Sequence, residues 1–146
     1  MANIDHSLDM AANIKGAFAV ALVDYDSGMT LGSRGGSPEF DLDVAAPGNS
    51  DVMRTKLDVM DKLGLRETIE DILITLDSQY HLIRPIAGLP DDKLFFYLVL
   101  NRAQANLAMA RRDLRVIEQQ FTMSNPGPGP RPGGNSQEAF FPSGQR

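Results

Sequence analysis

Apolar residues recur along this chain in two periods, and each change of period marks a new element. Residues 4 to 15 place Ile4, Leu8, Ala11 and Ala12 at helical spacing, with Asn3 or Asp5 to cap the start and Gly16 to stop the helix. Ala17 to Tyr25 then alternates, with bulky Phe18, Val20 and Leu22 on one face and Ala17, Ala19 and Ala21 on the other. That pattern fits a strand covered on both sides. Asp26, Ser27 and Gly28 form a turn, and Met29 to Ser33 returns as a second strand. Gly32 to Pro47 reads as a loop, because Gly35, Gly36, Pro38 and Pro47 interrupt any regular element.

The helical period resumes with Asn49 or Ser50 as cap and runs to Leu63, just before Gly64. Its apolar residues, Val52, Met53, Leu57, Val59, Met60 and Leu63, cover an arc of about 160° at about 100° per residue. One sheet contact needs less than that, so the arc points to a second apolar partner, a copy of the same chain, with Met53, Leu57 and Met60 as the contact stripe. Lys56 projects into the middle of the arc. Its ammonium must reach water or find an acid, and across a two-fold axis Asp61 or Glu70 could serve. The alternative is a rim lysine whose methylenes cover apolar surface.

Thr68 to Asp77, Gln79 to Ile86 and Lys93 to Leu100 are three further strands on short connections, hence an antiparallel meander. In the last helix Ala103, Leu107, Ala110, Leu114, Ile117 and Phe121 share one narrow face, and Asn101 with Gln104 resembles a capping box. The expected fold is therefore α+β in the order α-β-β-α-β-β-β-α. It is a five-stranded antiparallel sheet with the first and last helices on one face and the middle helix on the other. Residues 1–123 are expected to form this domain, and 124–146, which open with alternating Pro and Gly, a flexible tail.

Composition narrows the function. Hydrophobic residues make up 42% and charged residues 23% of 146, enough for a buried core in a single domain. No cysteine is present, which removes thiol catalysis, thiolate metal sites and disulfides and fits a cytoplasmic location. The net charge is −5; Arg131 and Arg146 against Glu138 give the tail +1, leaving the body at −6. Such a surface repels nucleic acid and anionic membrane. The amino-terminal residues lack the basic and apolar regions of a signal peptide, and no apolar run approaches the ~20 residues of a membrane span.

Catalytic or metal chemistry is not indicated, and no cofactor is expected. His6 and His81 are far apart in sequence and read as structural or exposed histidines, not ligands. Ser27, Ser33, Ser37 and Ser50 lack a nucleophile-elbow context. The stretch Gly28 to Gly36 lacks the G-K-[ST] ending of a phosphate loop and opens no helix. Asp24-x-Asp26-x-Gly28 begins like a calcium loop, but the glycine comes one position early and no Glu stands at position twelve. Asp91 and Asp92 are turn acids. Arg111, Arg112 and Arg115, with Arg102, could grip an acidic partner, although interleaved Asp113 and Glu118 suit a solvated face better.

The element order resembles the roadblock/dynein-light-chain domain of the profilin-like superfamily, in its bacterial form. The phrases Ile14-Lys15-Gly16-Ala17-Phe18, Val23-Asp24-Tyr25-Asp26-Ser27-Gly28 and Ala105-Asn106-Leu107-Ala108-Met109-Ala110 carry the resemblance, which spans Ile4 to Phe121. Ser37 to Ser50 departs from it: the long Ala-rich run that usually opens the second helix is missing, and Pro47 with Gly48 shortens that helix. The resemblance implies a non-catalytic module whose relatives dimerise through the second helix and third strand. They serve as platforms for small Ras-like GTPases or for larger motor and signalling assemblies. On that basis Val52, Met53, Lys56, Leu57, Met60, Ile72 and Ile74 are the expected homodimer interface, and Arg111, Arg112 and Arg115 a weaker partner site. A rival reading is a small-molecule sensor holding its ligand between helix and a sheet rich in Tyr80, Phe95, Phe96 and Tyr97.

Overall fold

The structure, a computed structural model, describes residues 3–89 and 93–121. Asp91, Asp92 and the expected tail 124–146 lie outside the described residues. Asp5–Gln120 forms one compact unit. A second unit, Met1–Ile4 with Phe121–Arg146, is described only at Asn3, Ile4 and Phe121.

The elements are α1 (Ile4–Ala12), β1 (Ala17–Asp24), β2 (Met29–Gly35), α2 (Leu42–Lys62), β3 (Ile72–Thr75), β4 (Gln79–Pro85), β5 (Leu94–Asn101) and α3 (Leu107–Gln120). The strands form one antiparallel sheet in the order β2-β1-β5-β4-β3. Every residue of β5 except Asn101 is buried, as befits a central strand covered on both faces. Ala19, Ala21 and Val23 of β1, Ile83 of β4 and Phe95, Tyr97 and Val99 of β5 pack with Leu42, Ala46 and Met53 of α2. Arg34 of β2 lies opposite Val20 and reaches Asp5 and Asp9 of α1 on the other face, where Arg84 of β4 meets Glu118 of α3. The α+β architecture with helices on both faces is the expected one.

Four local expectations are corrected. The segment read as a loop to Pro47 is mostly regular: β2 runs on to Gly35, and α2 starts at Leu42 with Asp41 as its cap. The Asp41 side chain accepts from Asp43 N at 2.9 Å. Pro47 and Gly48 therefore lie inside a 21-residue helix and do not shorten it. Both are exposed, while Leu42, Ala46, Ser50 and Met53 fix the helix to the sheet. The Pro47 ring costs one hydrogen bond near the start, and burial outweighs it.

Strand β3 is four residues long rather than ten. Continuing its register with β4 would set Glu70 opposite Pro85, which has no N–H to donate. Helix α3 begins at Leu107, capped by Asn106, whose side chain accepts from Met109 N at 3.1 Å. Asn101 instead organises the preceding turn, accepting from Ala103, Gln104 and Ala105 N–H groups. Finally, β1 shifts register against β5 between Ala17 and Ala19, and the Phe18 ring meets Phe40 edge-on at 5.5 Å. Phe40 packs on the α2-side cluster, so Phe18 does not share a face with Val20 and Leu22.

Candidate functional site

The apolar arc of α2 divides into two stripes. Leu42, Ala46, Ser50, Met53 and Met60 are buried, and Leu57 packs partly buried against the same cluster. Met53 is 0% exposed, so the face containing Met53, Leu57 and Met60 is already spent on this chain's own sheet. About 100° round the helix a second stripe faces solvent: Val52 (40% exposed), Val59 (39%) and Leu63 (67%), with exposed Lys56 among them. Three half-exposed aliphatic side chains on one helix face leave apolar surface that this fold does not cover.

Beside that stripe lies β3, an edge strand whose outer side has no strand partner among the described residues. Ile72 pairs with Ile83 and Ile74 with His81, which places both isoleucines on the α2 face. Both are half-buried. Val52, Lys56, Ile69, Glu70, Asp71 and Ile72 line a cleft of about 420 Å³ between helix and strand. Of the seven residues expected at an interface, Val52, Lys56, Ile72 and Ile74 line or flank this open side, while Met53, Leu57 and Met60 form its foundation. Ile69, Val59 and Leu63 complete it. Val59 and Leu63 were visible in the apolar arc, and Ile69 was hidden in a segment read as strand.

The arginines of α3 are engaged within the chain. Arg111 grips Asp71 through two bonds of 2.8 and 2.9 Å, and the Asp71 side chain is 8% exposed. Arg115 stands 3.5 Å from Glu70, and Arg112 3.4 Å from Asp113. Of the expected partner-binding arginines, Arg111 and Arg115 thus hold the approach to β3 against α3, while Arg112 pairs within the helix. Arg102 lies 5.0 Å above the Tyr80 ring and donates to Leu76 O.

The pattern alone did not mark a buried ion pair, Arg84 with Glu118, whose side chains are 9% and 8% exposed. One Glu118 oxygen takes Arg84 Nε at 3.1 Å and the other faces Ala87 N at 3.4 Å. Glu118, expected with Asp113 on a solvated face, is instead buried beside Leu114 and Ile117 on the apolar side of α3. The pair forms one wall of a pocket of about 530 Å³ at the end of the sheet, with Tyr25, Met53, Leu57, Ile69 and Ile86 among its other walls. Phe95, Phe96 and Tyr97 are buried between packed layers, while Tyr80 is half-buried under Arg102.

His81 Nε2 lies 2.9 Å from Gln79 Oε1 and Nδ1 2.9 Å from the Tyr97 hydroxyl; in the tautomer protonated at Nε2 the ring donates to the amide and accepts from the phenol. Phe40 and Tyr97 rings stand edge-on to it. Burial holds the imidazole below its usual pKa and lifts the Tyr97 phenol, a rise that a hydrogen bond from Asn49 of α2 partly offsets. The histidine is a packing element in a polar chain from β4 through β5 to α2. Asp24 Oδ1 accepts from Asp26 N and Ser27 N, an Asx turn. Among the described residues no three His, Asp or Glu side chains converge as metal ligands, and no helix is long and apolar enough to cross a membrane.

No protein-family model matches the sequence, and comparison with curated proteins finds no match. Solved structures do match the fold. The Roadblock/LC7 domain from Streptomyces avermitilis superposes with a TM-score of 0.67 at 13% identity, over 81% of this chain and 93% of that one. Myxococcus xanthus MglB gives 0.63 at 13% identity over 78% and 77%. The gliding protein MglB from Thermus thermophilus gives 0.59 at 16% over 80% and 88%. The chain has the Roadblock/LC7 fold.

Proposed function

We propose that this chain is a non-catalytic, homodimeric adaptor or regulatory module of the cytoplasm, acting on a small Ras-like GTPase or within a signalling assembly. The observation that carries the reading is the uncovered Val52–Val59–Leu63 stripe beside the unpaired edge of β3. A second copy can cover both at once through one self-complementary contact. The Roadblock/LC7 fold supports the regulatory part, and one solved MglB structure of that fold, 14% identical, has a tetrameric arrangement. Chemistry of its own is not part of the reading, since the glycine-rich stretch is spent on strand β2 and offers phosphate no helix start.

Sedimentation equilibrium tests the association. The chain is expected to be a dimer at tens of micromolar, and Val59→Asp to shift it towards monomer while keeping the circular dichroism spectrum of the folded chain. A monomeric wild type would end the dimer reading. Purified chain is expected not to hydrolyse GTP, any effect requiring a partner GTPase. Activity that survives rigorous repurification would end the non-catalytic reading.

The sensor reading keeps one observation in its favour, the pocket of about 530 Å³ at the sheet end. A bound metabolite released on denaturation of the native protein would support it.

A further inference from the structure

We propose that Lys56 recognises Glu70 of a second copy of this chain, a crossed charge pair that selects the dimer partner; the inference rests on the dimer reading above. Helix α2 carries three cations. Arg54 pairs with Asp51 and Lys62 with Asp58, each one turn away on the same helix. For Lys56 the four positions one turn away are Val52, Met53, Val59 and Met60, so no intrahelical acid is available. It has no ion pair among the described residues, yet it sits in the exposed apolar stripe. Covering that stripe without an acid for Lys56 would strand a charge at the contact.

The acid is already beside the stripe. Glu70 lines the same cleft, its side chain is 62% exposed, and its one ion pair among the described residues is with Arg115, 3.5 Å from Oε2. Asp71 is occupied by the two bonds from Arg111. Asp61, the other acid the sequence suggested, stands about 140° round the helix from Lys56 and leaves the contact. Each copy therefore presents an ammonium on one wall of an apolar cleft and a carboxylate on the other. A two-fold axis brings Lys56 of each copy to Glu70 of the other, giving two identical pairs. For a chain of net charge −5 this local complementarity offsets the repulsion between copies and disfavours partners lacking the acid.

The test uses the full chain, with dimer dissociation followed by sedimentation equilibrium at low salt. Lys56→Glu and Glu70→Lys each place like charges at both crossed positions, and each is expected to weaken its homodimer about tenfold or more. Mixing the two variants restores opposite charges at both positions. The 1:1 mixture is expected to dimerise within about threefold of wild type, as is the K56E/E70K double variant. Both residues are exposed, so an unchanged circular dichroism spectrum verifies the fold. Dimeric wild type whose mixed variants associate no better than either alone overturns the Lys56–Glu70 assignment and leaves the dimer standing. Wild type that is monomeric at tens of micromolar overturns both.

Discussion

Two glycines show how local geometry decides the sign of a substitution. Gly35 ends β2 at φ +76°, and a Cβ there would lie 2.3 Å from Phe18 O. Gly35→Ala is expected to cost about 2 kcal/mol or more, from left-handed strain together with the clash. Gly48 lies inside α2 with nothing within 4 Å of a Cβ, so Gly48→Ala is expected to stabilise by about 0.5–1 kcal/mol. Urea denaturation of both variants checks the pair. His81 supplies a pH dependence. Its pKa is lowered in the folded chain, so the unfolded chain binds more protons below about pH 6.5. Its stability contribution is present above that pH and is lost as pH falls through the lower folded value. A titration of urea midpoints between pH 8 and 5 should show this loss in wild type and not in His81→Asn. Neither glycine's surroundings could be read from sequence, because the Phe18 carbonyl and the space around Gly48 are set by distant segments.

At the scale of elements, helix α2 and the α3–β4 contact show what the hydrophobic period revealed and what it hid. The inward residues of α2 follow a regular spacing, Leu42, Ala46, Ser50, Met53, Leu57 and Met60, but after Leu42 the first half turns only Ala46 and Ser50 inward and contains Pro47 and Gly48. Breaker residues masked a period that Asp41 and tertiary burial enforce. The same arc was legible as wide, while its division into a buried and an exposed stripe needed the position of the sheet. Between α3 and β4 the Arg84–Glu118 pair is nine-tenths buried. Glu118→Ala leaves a guanidinium without its acid and is expected to cost about 3–5 kcal/mol. Replacing both partners by methionine is expected to recover most of that loss, because it removes both buried charges and keeps the packing. A double-mutant cycle in urea reads both outcomes, and a double variant no more stable than Glu118→Ala would contradict them.

Across the whole molecule, order is distributed unevenly, with consequences for the proposed interface. The strand order of paired hairpin and meander was legible because short turns leave few alternatives; the shortening of β3 was not, since it depends on Pro85 falling opposite Glu70. Central β1 and β5 are buried on both faces and paired on both sides, whereas β3 is short, half-exposed and paired only to β4. Its approach is fixed to α3 by the Arg111–Asp71 bonds. Amide hydrogen exchange should therefore be slowest in β1 and β5, approaching the global unfolding rate, and faster in β3 through local opening. Arg111→Ala leaves the largely buried Asp71 carboxylate without its two donors, a penalty of about 1–3 kcal/mol concentrated at the start of β3. Exchange at Ile72–Thr75 is then expected to accelerate by about tenfold or more, while β1 and β5 change only as far as global stability falls. Uniform acceleration across the sheet would show instead that β3 opens only with the whole fold, and the edge strand would lose its standing as an independently movable part of the interface.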